Sequence, residues 1–213
     1  MKTTLLIVRH GESLGNRDEL FLGHTNLGLS ELGKRQAVAL AAALRGRTID
    51  AVYSSDLCRA TETVAPAAAD RGLAVIPRCD LREIFAGDWE GRRFDDLVTL
   101  WPEERAVWKL DIGHACPPNG ERVANVYERA FAAITAVAAE NPGRTVLIGT
   151  HATPVRAITA RLSGRGLSGM AGIPWAPNAS ITTVVFEDGV ATLTGEADAS
   201  HLADLVNEVP KKI

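Results

Sequence analysis

The 213-residue chain is poor in cysteine and has no long apolar run. Its 3 cysteines are odd in number and form no CxxC pair, which argues against a disulfide framework and against a structural zinc site. No apolar stretch approaches the length of a membrane span, and the start of the chain lacks the apolar core of a signal peptide. We therefore expect reduced thiols, a cytoplasmic location and no membrane partner.

The chain also lacks a strong excess of charge of either sign. Its formal net charge is -3, and its lysines and arginines are dispersed rather than clustered. That distribution argues against a nucleic-acid partner. With 46% hydrophobic and 23% charged residues, the composition is typical of a globular protein with one sizeable core. We expect one domain over residues 1–213, and the sequence is compatible with either a monomer or a homodimer.

Predicted strands alternate with predicted helices, which indicates a three-layer α/β/α sandwich with a mostly parallel central sheet. Strands are predicted at Leu5–Val8, Asp50–Tyr53, Leu73–Ile76, Thr145–Gly149, Ile181–Phe186 and Val190–Thr194. Helices are predicted from Ser30 onward, after Ser54-Ser55-Asp56, within Phe94–Trp108, over Glu121–Asn141 and from Pro154 to Leu162. We expect the side-chain oxygens of Ser54-Ser55-Asp56 to cap the helix that follows them. We expect the last two strands to form an antiparallel edge hairpin, and the second helix to bend or break near Pro66.

Reactive polar side chains follow the predicted strands or begin the helices after them. They are Arg9 and His10 after the first strand, Arg59 after the second, Glu83 after the third, and Thr150 and His151 after the fourth. Because parallel strands point the same way, these groups can meet at one edge of the sheet. Cations, nitrogen bases and a carboxylate brought together there indicate an anion site with a histidine nucleophile.

Each of these residues also has a simpler interpretation. Arg59 fits a solvated helical pair with Glu62, and Glu83 fits a surface pair with a neighbouring arginine. The two histidines suggest a metal, but neither has a second ligand three or four residues away, as zinc sites usually do. The nearby guanidinium groups would repel a dication and attract a phosphate. We therefore predict a phosphate site without a metal or other cofactor.

Five ordered motifs resemble those of the histidine phosphatase superfamily, branch 1, which includes the cofactor-dependent phosphoglycerate mutases. They are Arg9-His10-Gly11-Glu12-Ser13 with Asn16, Gly23-His24-Thr25, Ser54-Ser55-Asp56-Leu57 with Arg59, Leu81-Arg82-Glu83, and Thr150-His151. The resemblance covers nearly the whole sequence. It implies a phosphoglycerate mutase-like fold.

The resemblance also implies roles for individual residues. His10 would attack phosphorus through one ring nitrogen while a backbone carbonyl holds the other. Glu83 would protonate the leaving oxygen and then accept a proton from water. Further groups would hold the phosphoryl oxygens or the substrate: Arg9, Arg59, His151, Asn16, the amide of Ala152, and Gly23 and Thr25 of the substrate loop. Glu90 is a rival acid, although its Trp-Glu-Gly turn favours a structural role.

Departures from the family pattern bear on the reaction. The segment between Trp89 and Gly120 is short and lacks the insertion with which mutases of this family enclose substrate. An open pocket admits the water that hydrolyses a phosphoenzyme. We therefore predict a phosphomonoester phosphatase acting on a small phosphorylated metabolite. A mutase-like phosphotransferase and a non-catalytic phospholigand-binding domain are the alternatives.

The chemistry of the substrate beyond its phosphate is not encoded in any of these motifs. We expect the specificity wall in residues 79–120 and 170–178. Four tryptophans fall in these segments, and core packing is the favoured role for most of them: Trp89, Trp101, Trp108 and Trp175.

Overall fold

The computed structural model describes residues 1–207 and contains one six-stranded sheet. The strands are β1 (Lys2–Arg9), β2 (Ala51–Ser54), β3 (Val75–Pro77), β4 (Thr145–Thr150), β5 (Ile181–Glu187) and β6 (Val190–Asp198). Their order is β3-β2-β4-β1-β5-β6, with β1 to β4 parallel and β5 and β6 antiparallel to their neighbours. The predicted mostly parallel sheet with an antiparallel edge hairpin is confirmed.

Seven α-helices occur within the described residues. They are α1 (Leu14–Arg17), α2 (Glu31–Leu44), α3 (Cys58–Ala69), α4 (Phe94–Leu100), α5 (Pro102–Leu110), α6 (Val123–Glu140) and α7 (Ala152–Leu162). Helix α2 begins as predicted, because the Ser30 hydroxyl accepts a hydrogen bond from the Gly33 amide at 3.1 Å. None of the helices in residues 1–207 has both the length and the apolarity to cross a membrane.

Strand β1 lies inside the sheet because four consecutive aliphatic side chains cover both of its faces. Leu5 and Ile7 pack into a buried cluster with α6 and α7, whereas Leu6 and Val8 pack into another with α2 and α3. All four side chains are at most 1% exposed. A strand buried on both faces is typical of a parallel sheet with helices on each side.

Helix α3 differs from the prediction in two ways. It continues unbroken through Pro66 to Ala69, although Pro66 cannot donate an intrahelical hydrogen bond. The buried side chains of Val64 and Ala67 hold this part of the helix in the core. Its N-terminal cap is also not the predicted serine or aspartate, since the Cys58 amide donates to Oδ1 of Asn26 at 2.8 Å.

The strand register brings three strand ends to one edge of the sheet. Arg9 lies opposite Thr150, and Ser54 lies opposite Gly149. Gly149 is needed for close packing here, because a Cβ atom would come within 2.8 Å of the Ser54 hydroxyl and 2.9 Å of the Ala60 carbonyl. Residues directly after β1, β2 and β4 are therefore neighbours, as the sequence predicts.

Candidate active site

His10 is buried directly after β1 with one ring nitrogen occupied. Its Nδ1 lies 2.7 Å from the carbonyl oxygen of Gly11. A carbonyl only accepts, so Nδ1 carries the proton and Nε2 keeps its lone pair. Burial, followed by the charges of Arg59 and Arg9, holds the pKa of His10 well below its usual 6.5. At neutral pH the ring is therefore an uncharged base with Nε2 available as a nucleophile.

His151 lies beside His10, directly after the adjacent strand β4. The two ring centroids are 5.2 Å apart. Nε2 of His151 is 2.8 Å from the hydroxyl of Ser55, and its buried Nδ1 has no hydrogen-bond partner within residues 1–207. Burial is the main cause that lowers the pKa of His151 well below 6.5, with Arg59 adding to it. His151 also precedes α7, whose first amides favour an anion.

Arg9 and Arg59 are at most 2% exposed. One terminal nitrogen of Arg9 donates to the Ala176 carbonyl at 2.5 Å, and those of Arg59 donate to the carbonyls of Gly23 at 2.8 Å and Thr25 at 2.9 Å. Burial lowers the pKa of each guanidinium to about 10, so both stay cationic at neutral pH. Their Nε atoms have no hydrogen-bond partner in the described part of the chain. Two buried cations of this kind make a strong anion site.

Glu83 lines the same pocket. One carboxylate oxygen accepts from the Ile84 amide at 2.8 Å, and the other lies 3.3 Å from the Thr153 amide at the start of α7. The interpretation of Glu83 as a surface partner of a neighbouring arginine is wrong, because Glu83 is buried and Arg82 pairs with Asp56. A carboxylate that lines the same pocket as the nucleophile is placed to exchange a proton with a bound substrate.

Glu90 has a structural position instead. Its carboxylate accepts hydrogen bonds from the amides of His24 at 2.7 Å and Ala86 at 3.2 Å, and from the hydroxyl of Thr25 at 3.0 Å. These bonds join the loop around residue 24 to the loop that follows Glu83. They also occupy the hydroxyl of Thr25, which does not face the pocket.

The structure brings together most of the residues predicted for the site. Seven of them line one pocket: Arg9, His10, Asn16, Gly23, Arg59, Glu83 and Ala152. His151 contacts the His10 ring from beside this pocket, and Thr25 contributes its backbone carbonyl to Arg59. Two of the four tryptophans, Trp108 and Trp175, also line the pocket, whereas Trp89 is buried in the core.

The family model of the histidine phosphatase superfamily, branch 1, matches residues 5–199. The chain belongs to this superfamily. It is 34% identical over 160 residues to the adenosylcobalamin/α-ribazole phosphatase of Escherichia coli K12, covering 75% of this chain and 79% of that protein. It is 30% identical over 212 residues to phosphoserine phosphatase 1 of Hydrogenobacter thermophilus, covering 98% and 99%. The structure of Bacillus stearothermophilus YhfR superposes with a TM-score of 0.90 at 30% identity, covering 94% of this chain and 99% of that one.

These similarities confirm the resemblance predicted from the five motifs and the phosphoglycerate mutase-like fold. Within residues 1–207 of this histidine phosphatase, no group of three or more histidine, cysteine, aspartate or glutamate side chains is arranged to hold a metal ion.

Sequence reasoning missed Asn178 of this histidine phosphatase, which supports the nucleophile loop. Its Nδ2 donates to the His10 carbonyl at 2.9 Å and to Oδ1 of Asn16 at 3.2 Å. Its Oδ1 accepts from Nδ2 of Asn207 at 3.1 Å. Asn178 thus holds His10 and Asn16 in a fixed relation. Its position just before β5 carries no motif that marks this role.

Sequence reasoning also missed Arg129, which holds the segment that carries Glu83. This residue of α6 donates to the carbonyls of Asp80 at 3.1 Å, Arg82 at 2.7 Å and Glu83 at 2.8 Å. Its guanidinium is itself held by both carboxylate oxygens of Glu121, at 2.8 and 2.9 Å. Arg129 is therefore a positioning residue for Glu83, acting through the backbone.

We expect Arg129→Gln to impair proton transfer by Glu83 without disturbing phosphate binding. Small misplacement of a catalytic group costs about tenfold to a hundredfold in rate. Hydrolysis of an alkyl ester such as benzyl phosphate should fall by that amount in kcat/KM. Hydrolysis of p-nitrophenyl phosphate, whose leaving group needs no proton, should change by less than about threefold.

The matched control for this experiment is Arg45→Gln. Arg45 is an exposed arginine that pairs with Asp70 at 3.4 Å and, within residues 1–207, makes no contact with the segment that carries Glu83. We expect wild-type rates from it on both esters. An equal loss on both esters in Arg129→Gln would show that Arg129 stabilises the protein in general rather than positioning Glu83.

Proposed function

We propose that the chain is a phosphomonoester phosphatase that acts through a phosphohistidine on a small phosphorylated metabolite. One observation carries the proposal: the neutral His10, with Nδ1 engaged by the Gly11 carbonyl, shares a single pocket with two buried arginines and Glu83. The two curated relatives named above are phosphatases, which agrees with it.

In the first step, Nε2 of His10 attacks the phosphorus of the ester. The bond from phosphorus to the leaving oxygen breaks, and Glu83 in its protonated form gives that oxygen its proton. Arg9, Arg59 and His151 hold the other phosphoryl oxygens as their charge rises. The amide of Ala152 and the side chain of Asn16 add neutral donors at the same site.

In the second step, water attacks the phosphohistidine. Glu83, now a carboxylate, accepts a proton from this water, and the bond between phosphorus and Nε2 breaks. Inorganic phosphate leaves, and both His10 and Glu83 return to their starting protonation states. Nδ1 of His10 keeps its proton throughout because this N–H donates a hydrogen bond to the Gly11 carbonyl.

A panel of phosphomonoesters tests this proposal, with inorganic phosphate release as the measurement. We expect hydrolysis of several esters, unchanged by EDTA since the steps above use groups of the protein and water. A phosphoglycerate mutase-like enzyme would instead interconvert phosphoglycerates when 3-phosphoglycerate is supplied with 2,3-bisphosphoglycerate. A domain that only binds phospholigands would bind them without releasing phosphate.

The cytoplasmic location and one domain over residues 1–213 stay predictions from the sequence. The sequence is compatible with a homodimer. The lack of a nucleic-acid partner also stays a prediction, based on the dispersed cationic residues and the net charge of -3.

A further inference from the structure

We propose that this pocket selects phosphomonoesters whose alcohol part is uncharged and apolar, with an aromatic group preferred. The inference rests on the proposed function and extends it to the substrate class. It comes from the walls of the pocket beyond the phosphate-binding groups.

The wall is built almost entirely of apolar side chains. Six of them line the pocket: Leu20, Phe21, Leu22, Phe94, Trp108 and Trp175. The rings form a continuous surface, since the Phe21 centroid lies 5.7 Å from that of Phe94 and 5.1 Å from that of Trp108. Trp108 in turn stacks on Trp175 at 6.2 Å. An apolar group entering this space would bury its surface against rings, which is favourable.

The pocket has no cation for a second anionic group on the substrate. Its charged lining residues in the described part of the chain are Arg9, Arg59 and Glu83, and all three serve the transferred phosphoryl group. A carboxylate on the alcohol part would therefore lose its hydration against aromatic rings without gaining an ion pair. Such a loss is costly. Phosphoserine and phosphoglycerates carry this carboxylate and should be poor substrates.

Arg156 is a cation that contacts this wall, and it is engaged by its own neighbours. The guanidinium carbon of Arg156 lies 4.2 Å from the centre of the Trp175 ring. Arg156 also donates to the carbonyls of Met170 at 3.0 Å and Ala171 at 2.9 Å. Its charge thus holds Trp175 in place, and Arg156 is not a lining residue of the pocket. The aromatic wall is fixed before substrate binds, which lowers the entropic cost of binding.

The selectivity can be measured on three esters of primary alcohols, whose leaving groups make similar chemical demands. We expect kcat/KM for benzyl phosphate to exceed the values for phosphoserine and glycerol 3-phosphate by at least about tenfold. Equal or higher kcat/KM for phosphoserine would overturn the inference. Binding of benzylphosphonate and phosphonoacetate, followed by calorimetry, measures the same preference without turnover.

Trp175 supplies the matched variants. Trp175→Ala should raise KM for benzyl phosphate about tenfold and leave the inhibition constant of inorganic phosphate unchanged, because phosphate occupies only the cationic end. Trp175→Phe should keep most of the preference. A parallel loss of phosphate affinity in Trp175→Ala would mean that Trp175 supports the fold and would overturn its place in the wall.

The experiment separates this inference from the proposed function. If no ester in the panel is hydrolysed, the phosphatase proposal fails, and the two phosphonates still decide the selectivity. Tighter binding of benzylphosphonate by about tenfold or more would then support the apolar wall, and equal affinities would overturn it. If all esters are hydrolysed at equal kcat/KM, the phosphatase proposal stands and the inference fails.

Discussion

Replacing His10 with alanine is expected to lower hydrolysis of p-nitrophenyl phosphate by at least about a thousandfold. Alanine removes Nε2 of His10, the nitrogen that attacks phosphorus in the proposed reaction. Arg9 and Arg59 remain in the variant and can still bind phosphate, so the loss should fall on kcat while inorganic phosphate stays an inhibitor. Steady-state rates and phosphate inhibition measure the two effects.

The control for the nucleophile is His114→Ala. His114 is an exposed histidine that pairs with Asp111 at 2.9 Å, and its removal should leave the rates unchanged. Rapid quenching of the wild-type enzyme with substrate should trap an acid-labile phosphate on Nε2 of His10, seen by mass spectrometry. Wild-type rates in His10→Ala would rule out His10 as the nucleophile.

Replacing Glu83 with glutamine is expected to lower kcat/KM for benzyl phosphate by about a hundredfold to ten-thousandfold. The amide cannot give a proton to the leaving alkoxide, which is strongly basic. For p-nitrophenyl phosphate the loss should be less than about tenfold, because nitrophenolate leaves without a proton. The comparison uses kcat/KM, since this parameter reports formation of the phosphohistidine and not its later hydrolysis.

Two glutamate variants serve as comparisons for this result. Glu128→Gln changes an exposed carboxylate paired with Arg161, and we expect wild-type rates from it. Glu90→Gln tests the rival acid. It should lower kcat/KM for both esters by the same factor, since Glu90 holds two loops together. A loss that depends on the leaving group in Glu90→Gln, and not in Glu83→Gln, would assign the acid to Glu90.

The core of the site could be predicted because its signals are local. An aliphatic run ends at Arg9 and His10, another ends at Thr150 and His151, and parallel strands bring such ends together. The register that places Arg9 opposite Thr150 agrees with this expectation. The same argument gave the sheet and its edge hairpin, because the alternation of strands and helices is visible along the chain.

The supporting contacts could not be predicted because they join residues far apart in sequence. Arg129 donates to carbonyls nearly fifty residues away, and any helical arginine would give the same local pattern. The serines directly before α3 were predicted as its cap, but Asn26 caps the helix from a separate loop. Pro66 was expected to interrupt α3, but burial of Val64 and Ala67 outweighs the one lost hydrogen bond. Tertiary packing decides each of these features.

The pairing of β1 with β4 also sets a condition that folding must meet before the protein is active. The His10 amide donates to the Thr150 carbonyl at 2.9 Å, so the nucleophile is fixed by a residue far away in sequence. His10 precedes β4 in the chain, so during synthesis this contact forms only after β4 is made and inserts beside β1. Contacts of such long sequence separation form slowly. Activity during refolding should therefore not recover before β4 has inserted into the sheet.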